Sequence, residues 1–144
     1  MAPIELTLIV HHGDRSRYPC RGARSLGVLL RGRAGIAIEN LADRSAGARF
    51  GTVDTEGGPI VFARTGDGLD AARILLPTLH AVLAPELGDA FLAAIPHRDV
   101  LLACADTPRL REALLARARD DAARAPHRIT DRLFRVDADR LAPA

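Results

Sequence analysis

The chain has 144 residues, of which 48% are hydrophobic and 26% charged, so it fits one globular domain rather than a disordered or fibrous protein. Its formal net charge is only +2, and its arginines alternate with acids instead of forming blocks, which argues against nucleic acid as a partner. The two cysteines, Cys20 and Cys104, have no metal or redox spacing, and no apolar run is long enough to span a membrane. We therefore expect a soluble cytoplasmic protein with no cofactor and no membrane association.

The N-terminal part of the chain predicts one strand and one short helix. Residues 4–10 have the composition of a strand, and the polar, arginine-rich residues 11–25 predict a loop or a poorly ordered arm. Apolar residues at partly helical spacing follow, but Gly32 and Gly35 each cost about 1 kcal/mol relative to alanine inside a helix. The helix is therefore predicted only over residues 34–42.

Two hairpins are predicted farther along the chain. Residues 48–54 and 59–64 are β-prone runs around Thr55-Glu56-Gly57-Gly58, which is a hairpin signal. Residues 91–95 and 100–105 are continuous apolar runs around the polar break Pro96-His97-Arg98-Asp99. Short apolar runs bounded by turn residues are typical of strands buried on both faces, so this second hairpin is predicted to lie in the middle of a sheet.

Two further helices are predicted, one after each hairpin. Apolar residues repeat at three- and four-residue steps from Leu69 to Leu83, and Pro77 must kink this helix or begin a second segment. Pro85 and Gly88 are predicted to end it. Residues 108–124 form the other helix, with Thr107 as its N-cap.

Hairpins that alternate with helices predict an α+β fold, with a mixed or antiparallel sheet of about four to six strands and helices packed mainly on one face. Residues 133–136 are the last predicted strand, and residues 137–144 are predicted to be a loose end. In the predicted domain organisation, residues 37–144 form a single α+β domain. Residues 1–36 form an N-terminal strand and arm that can belong to the same domain.

Several stretches resemble the YtpQ-like proteins, a family of domains of unknown function. The resemblance covers residues 37–136, and it rests on AIENL, GDGLDAARILLP, the LG of Leu87-Gly88, AIPHRDVLL and HRITDRLFRV. The Pro-x-Arg-Asp step at residues 96–99 is its most specific part. Family members are typically longer at the N-terminus, and residues 1–33 of this chain do not match them. Because the family has no assigned activity, the resemblance implies no reaction.

The polar break between the two apolar runs is the main candidate site. His97, Arg98 and Asp99 would offer a base, a cation and a carboxylate to a small anionic ligand, together with Asp67 or Asp131. The alternative is structural, in which Asp99 bonds turn amides and Arg98 pairs with Asp67 or Asp131. The structural interpretation is favoured because turns often carry such residues for backbone reasons.

Other candidate chemistries are less complete. His11-His12-Gly13-Asp14 lacks the further ligands that a metal site needs, so a solvated loop is favoured. Gly66 and Gly68 precede a helix, but a third glycine or a P-loop lysine is missing, so a turn is favoured over a phosphate site. Cys104 lies in an apolar run and is interpreted as a core residue.

These observations leave two main hypotheses for the function, with nucleic-acid binding as a third possibility that predicts salt-sensitive retention on a phosphate-bearing column. The first is a non-catalytic module that binds a protein partner or itself through a sheet edge or a helix face, because no complete catalytic constellation is present. The second is a small hydrolase or anionic-ligand-binding domain that uses Arg98, Asp99 and a nearby carboxylate or His127.

Overall fold

The computed structural model describes residues 11–12, 15–16 and 27–144, and side chains from residue 35 onward. The chain divides into two compact units, Met1–Arg44 and Ser45–Ala144. In the first unit, β1 (His11–His12) and β2 (Arg15–Ser16) form an antiparallel pair within the segment predicted to be a loop. The strand predicted over residues 4–10 lies outside the described residues.

The first helix, α1 (Gly27–Ser45), is longer than the predicted residues 34–42. Gly32 and Gly35 both lie inside it, so the prediction that they limit the helix was wrong. The glycine penalty is about 1 kcal/mol at each position, which lowers the stability of a long helix without ending it. The described surroundings of Gly35 do not require a glycine, because an added Cβ would have no neighbour within 4 Å.

Six strands of the second unit form one antiparallel sheet, which confirms the predicted α+β class. The spatial order is β3-β4-β6-β5-β7-β8. The strands are β3 (Gly51–Thr55), β4 (Gly58–Ala63), β5 (Phe91–Ala94), β6 (Leu101–Ala105), β7 (Leu133–Val136) and β8 (Leu141–Pro143). β8 lies in the predicted loose end, where the carboxylate of Asp137 accepts hydrogen bonds from the backbone N–H groups of Asp139 and Arg140 and turns the chain back.

Both predicted hairpins are present in the sheet. β3 and β4 are joined by Glu56-Gly57, and the Thr55 hydroxyl donates a 2.7 Å hydrogen bond to the carbonyl of Gly58. β5 and β6 pair antiparallel at the centre of the sheet, and every β5 side chain is buried. The continuous apolar runs therefore correspond to strands covered on both faces, as predicted.

One face of the sheet packs against α3 (Pro108–Arg124). Leu92, Leu102 and Cys104 point to this side and form one core cluster with Leu110 and Leu114 of the helix. The helix begins as predicted, because the Thr107 hydroxyl accepts a 3.3 Å hydrogen bond from the backbone N–H of Leu110.

The opposite face is contacted by a 3-10 helix (Ala71–Leu75) and by α2 (Leu79–Leu87). The ring of His80 stacks on Phe91 with centroids 6.0 Å apart, and Phe91 points away from the α3 side because side chains alternate along a strand. Helical segments therefore contact both faces. Pro77 separates the two segments, whereas Pro85 lies inside α2 and does not end it, because buried Leu79, Leu83 and Leu87 hold this helix to the core.

No helix among the described residues is long and apolar enough to cross a membrane.

Candidate functional site

The polar connection Pro96–Asp99 is held to its neighbours by backbone hydrogen bonds. The N–H of Arg98 donates to the carbonyl of His127 over 3.2 Å, and the N–H of Ile129 donates to the carbonyl of Pro96 over 2.9 Å. On the other side, the N–H of Ala71 donates to the carbonyl of Arg98 over 3.1 Å. The connection is therefore fixed between the segment before β7 and the 3-10 helix.

The five predicted ligand-binding residues do not converge on one point. Arg98 Nε lies 3.3 Å from Asp99 Oδ1, so these two side chains pair with each other. Asp131 lies 3.8 Å from Arg128, and Asp67 pairs with Arg73. The structural alternative predicted that Arg98 pairs with Asp67 or Asp131. Neither pair is among the described ion pairs. Of the five residues, His97 and Asp99 line a common groove.

Asp67 belongs to an ion-pair cluster around Arg73, whose side chain is almost completely buried. The guanidinium donates to the carboxylates of Asp67 and Asp70, and its Nε donates to the Ser45 hydroxyl over 3.0 Å. The hydrogen bond from Arg73 lowers the pKa of Asp67 to about 2. Both carboxylate oxygens of Asp67 accept hydrogen bonds from Arg73, so Asp67 fixes the loop before the 3-10 helix.

A groove of about 670 Å³ lies on the α3 side of the sheet, beside the C-terminal half of that helix. Its floor is apolar and comes from β3, β4, β6 and the residue before β6: Val53, Ile60, Phe62, Val100 and Leu102. Its rim is polar and includes Arg64, His97, Asp99, Arg117, Asp121 and Arg124. The groove therefore has an apolar base and a charged border.

The floor is open to solvent at its outer side. Val53 is 54% exposed, whereas Leu102, under α3, is buried. Phe62 is half-buried and lies over Gly51 of the edge strand, where an added Cβ would clash with its ring. The sheet surface next to α3 is thus apolar and uncovered by the described residues.

The rim carries more free positive than free negative charge. Arg117 pairs with Asp121 over 2.9 Å and Arg124 with Asp120 over 2.8 Å, as the four-residue spacings predict. Arg64 is exposed and has no carboxylate within 4.0 Å among the described side chains. Arg64 is therefore available to pair with an anionic group in the groove.

The groove residues do not form a nucleophile–base pair. His97 Nδ1 accepts a 3.2 Å hydrogen bond from the backbone N–H of Asp99, which leaves the proton of the neutral ring on Nε2. The residues that line the groove include no serine or cysteine. Cys104 is fully buried on the same side of the sheet, and burial raises its pKa to about 11, so it stays a thiol.

The other sequence candidates give no site among the described residues. His11 and His12 lie in β1, and Gly13 and Asp14 lie outside the described residues. In the described part of the chain, no group of three His, Cys, Asp or Glu side chains is arranged to hold a metal ion. Gly66 and Gly68 adopt left-handed backbone angles, with φ of 81° and 77°, so they serve the turn that was favoured for them.

Sequence reasoning missed the groove residues outside Pro96–Asp99. The signal was present for Arg117, Asp121 and Arg124, which recur on one side of α3, but nothing local shows which strand lies opposite them. Phe62 and Ile60 alternate along β4 on the side of the sheet that faces α3, and only the pairing of β4 with β6 brings them next to that helix.

Comparison with known proteins adds nothing to this description. No protein-family model, curated protein or solved structure matches the chain. The resemblance to YtpQ-like proteins therefore stays a prediction.

Proposed function

We propose that this protein is a non-catalytic interaction module, and that its groove receives an amphipathic helix of a partner protein with an apolar stripe and acidic flanks. The observation that carries the proposal is the apolar floor beside α3, which no described residue covers, with Val53 54% exposed and arginines at its border. The lack of a nucleophile–base pair among the lining residues supports binding rather than catalysis.

We place the partner helix beside the C-terminal half of α3. Strands in a sheet lie about 4.8 Å apart, and packed helices lie about 8–10 Å apart. α3 contacts β6, β5 and β4, and its first turn lies against the β3–β4 turn, so a second helix at this distance would lie over β4 and β3 beside the other end of α3. The exposed Val53 and the half-buried Ile60 and Phe62 would meet the apolar stripe of such a helix.

The charges at the border favour acidic flanks on the partner helix. Arg64 is free of carboxylates among the described side chains, and Arg124 pairs only with the half-exposed Asp120. An exposed ion pair of this kind contributes about 1 kcal/mol or less, so Arg124 can exchange Asp120 for a carboxylate of the partner at little cost. The complementarity predicts faster association at low ionic strength.

The test uses two fluorescently labelled synthetic peptides of about 15 residues, a length at which isolated helices are marginally stable. Both have a leucine stripe; one carries glutamates and the other lysines on the remaining positions. We expect the acidic peptide to bind at least about tenfold more tightly, a difference of about 1.4 kcal/mol, and to lose affinity in high salt.

Matched variants locate the binding on the protein. Arg64→Glu and Ile60→Thr should each weaken binding of the acidic peptide. Arg119→Glu, an exposed arginine of α3 outside the groove, and Ile129→Thr, 44% exposed outside the groove, should leave it unchanged. Equal binding of both peptides, or equal effects of the groove and control variants, would refute the proposal.

A second candidate is the binding of a small amphipathic anion at Arg64 in the groove. It is favoured by the exposed guanidinium of Arg64, which has no carboxylate partner among the described side chains. Octanoate is a suitable probe because it carries one carboxylate and an apolar chain. Stabilisation of the protein by octanoate against heating, lost in Arg64→Glu and not in Arg119→Glu, would support this candidate over the helix.

The resemblance of residues 37–136 to YtpQ-like proteins is a further proposal. It adds no activity, and the choice between the two candidates depends on the groove alone.

A further inference from the structure

We infer that β3 pairs with β3 of a second copy of this chain, so that two sheets join edge to edge around a two-fold axis at Val53. This inference does not rest on the proposed function, because the pairing is made by backbone groups at the edge of the sheet; Val53 itself also lies at the outer side of the groove. In the described part of the chain β3 is the first strand of the sheet order, and its residues 52–55 are all exposed.

The backbone groups that face outward follow from the pairing with β4. In an antiparallel pair, residues alternate between positions that exchange two hydrogen bonds and positions that exchange none. Asp54 lies opposite Pro59, which has no N–H, so these two residues cannot exchange two hydrogen bonds and form a non-bonded pair. The next pair, Val53 and Ile60, is therefore a bonded pair. The N–H and C=O groups of Thr52 and Asp54 therefore point away from β4, toward the open edge.

The edge is self-complementary in one antiparallel register. When Val53 lies opposite Val53 of the second copy, Thr52 lies opposite Asp54 of the second copy. By symmetry, Asp54 lies opposite Thr52 of the second copy. The outward N–H and C=O groups of these two residues then form hydrogen-bonded pairs, and Val53 occupies a non-bonded pair, in which side chains approach most closely. No like charges lie directly opposite each other across the pair. The Thr52 hydroxyl keeps its 3.3 Å hydrogen bond to the carboxylate of Glu86 in its own chain, so the pairing relies on the backbone groups and on Val53.

The composition of β3 is consistent with such pairing. Edge strands that avoid association usually carry charged side chains, especially lysine, or a proline or a bulge. β3, with the sequence Gly-Thr-Val-Asp-Thr, has one charged residue, Asp54, and no lysine or proline, and its register with β4 is continuous. At the other end of the described sheet, β8 has three residues and includes Pro143. The two edges therefore differ, and β3 is the one suited to pairing.

The pairing would place both grooves on the same side of a twelve-stranded sheet, because the two-fold axis of an antiparallel pair is perpendicular to the sheet. Val53 of each copy, at the outer side of its groove, would then be next to its equivalent. A contact through one five-residue strand is small, and interfaces below about 1,200 Å² belong to weak complexes. We therefore expect a dimer that forms reversibly with increasing concentration.

Sedimentation velocity over a wide range of protein concentration tests the inference on the full chain. We expect the mass to rise from 15.4 kDa toward twice that value as concentration increases. Val53→Asp and Val53→Arg should each stay monomeric, because like charges would meet at the axis. An equimolar mixture of the two variants should regain the dimer, since opposite charges then meet.

Val82, on α2, provides the matched control because it is 56% exposed, close to the value for Val53. Val82→Asp and Val82→Arg should dimerise like the unaltered chain. Asp54→Pro should also stay monomeric with an unchanged circular dichroism spectrum, because it removes an outward N–H and no bond to β4. A monomer at every concentration, a dimer that survives Val53→Asp, or a mixture that does not associate would overturn the inference.

Discussion

The guanidinium of Arg73 and the carboxylate of Asp70 form an ion pair of 2.7 Å in which both side chains are buried. Asp70 also accepts hydrogen bonds from the backbone N–H and the hydroxyl of Thr65, and no buried polar side-chain atom of the described residues lacks a partner. The residue after Asp70, Ala71, donates its N–H to the carbonyl of Arg98. This pair therefore supports the connection that positions His97 and Asp99 at the groove.

Removing Asp70 should destabilise the protein strongly. Asp70→Ala leaves the Arg73 charge buried with one carboxylate fewer, and breaking a buried ion pair costs about 3–5 kcal/mol. The free energy of unfolding, measured in urea, should fall by this amount. Asp120→Ala, which breaks an exposed pair with Arg124, should change it by about 1 kcal/mol or less. Equal effects of the two variants would contradict the assigned role of the Arg73 cluster.

Stability should fall in acid partly because of Asp67. The hydrogen bond from Arg73 lowers the pKa of this carboxyl from 3.8 to about 2 in the folded protein. The stabilisation is complete above the unfolded value of about 4 and is lost as the pH falls from about 4 to about 2. Urea unfolding at several pH values should show a smaller acid loss in Asp67→Asn than in the unaltered chain. Asp131→Asn is the control, because Asp131 lies 3.8 Å from Arg128 and outside the Arg73 cluster. This variant should lose as much stability in acid as the unaltered chain.

Cys104 should be unreactive until the protein unfolds. Burial raises its pKa to about 11, and its side chain is fully inaccessible, so no thiolate is exposed at neutral pH. In a Cys20→Ser variant, a thiol reagent should label Cys104 at the rate of unfolding and rapidly in urea. Fast labelling of the native variant would show that the core beneath α3 opens readily.

The N-cap of α3 should contribute about 1 kcal/mol to the free energy of unfolding. The Thr107 hydroxyl accepts from the N–H of Leu110, and loss of such a cap typically costs about 0.5–2 kcal/mol. Thr107→Ala should lower the unfolding free energy by this amount, measured in urea, whereas Thr107→Ser should retain most of it. If serine and alanine were equivalent, the hydroxyl would not act as a cap.

Local chemistry was sufficient to predict several elements of the fold. Thr107 and Pro108 mark the start of α3, and the apolar runs around Pro96–Asp99 predict the central hairpin. These signals depend on capping, turn residues and burial of short strands, all of which act within a few residues. Predictions failed where a long-range contact overrides a local preference, as at Pro85, where buried leucines keep the helix intact.

The candidate site was predictable only in part for the same reason. His97 and Asp99 were found because they interrupt an apolar sequence, and both line the groove. Arg98 and Asp67 are equally polar in sequence, yet one pairs with its neighbour and the other with a buried arginine six residues away. Arg64 is separated from α3 by more than forty residues, so only the sheet pairing shows that they share a groove.

The most direct test of the groove as a binding surface is an amide NMR titration of the full chain with the acidic helical peptide. We expect saturable shift changes concentrated at β3, β4 and the C-terminal half of α3, including Val53, Ile60, Phe62 and Arg124. Arg64→Glu should weaken them, so that saturation needs more peptide, and Arg119→Glu should leave them unchanged. Shift changes concentrated at α2 and the opposite face of the sheet, or the absence of any change, would contradict the account.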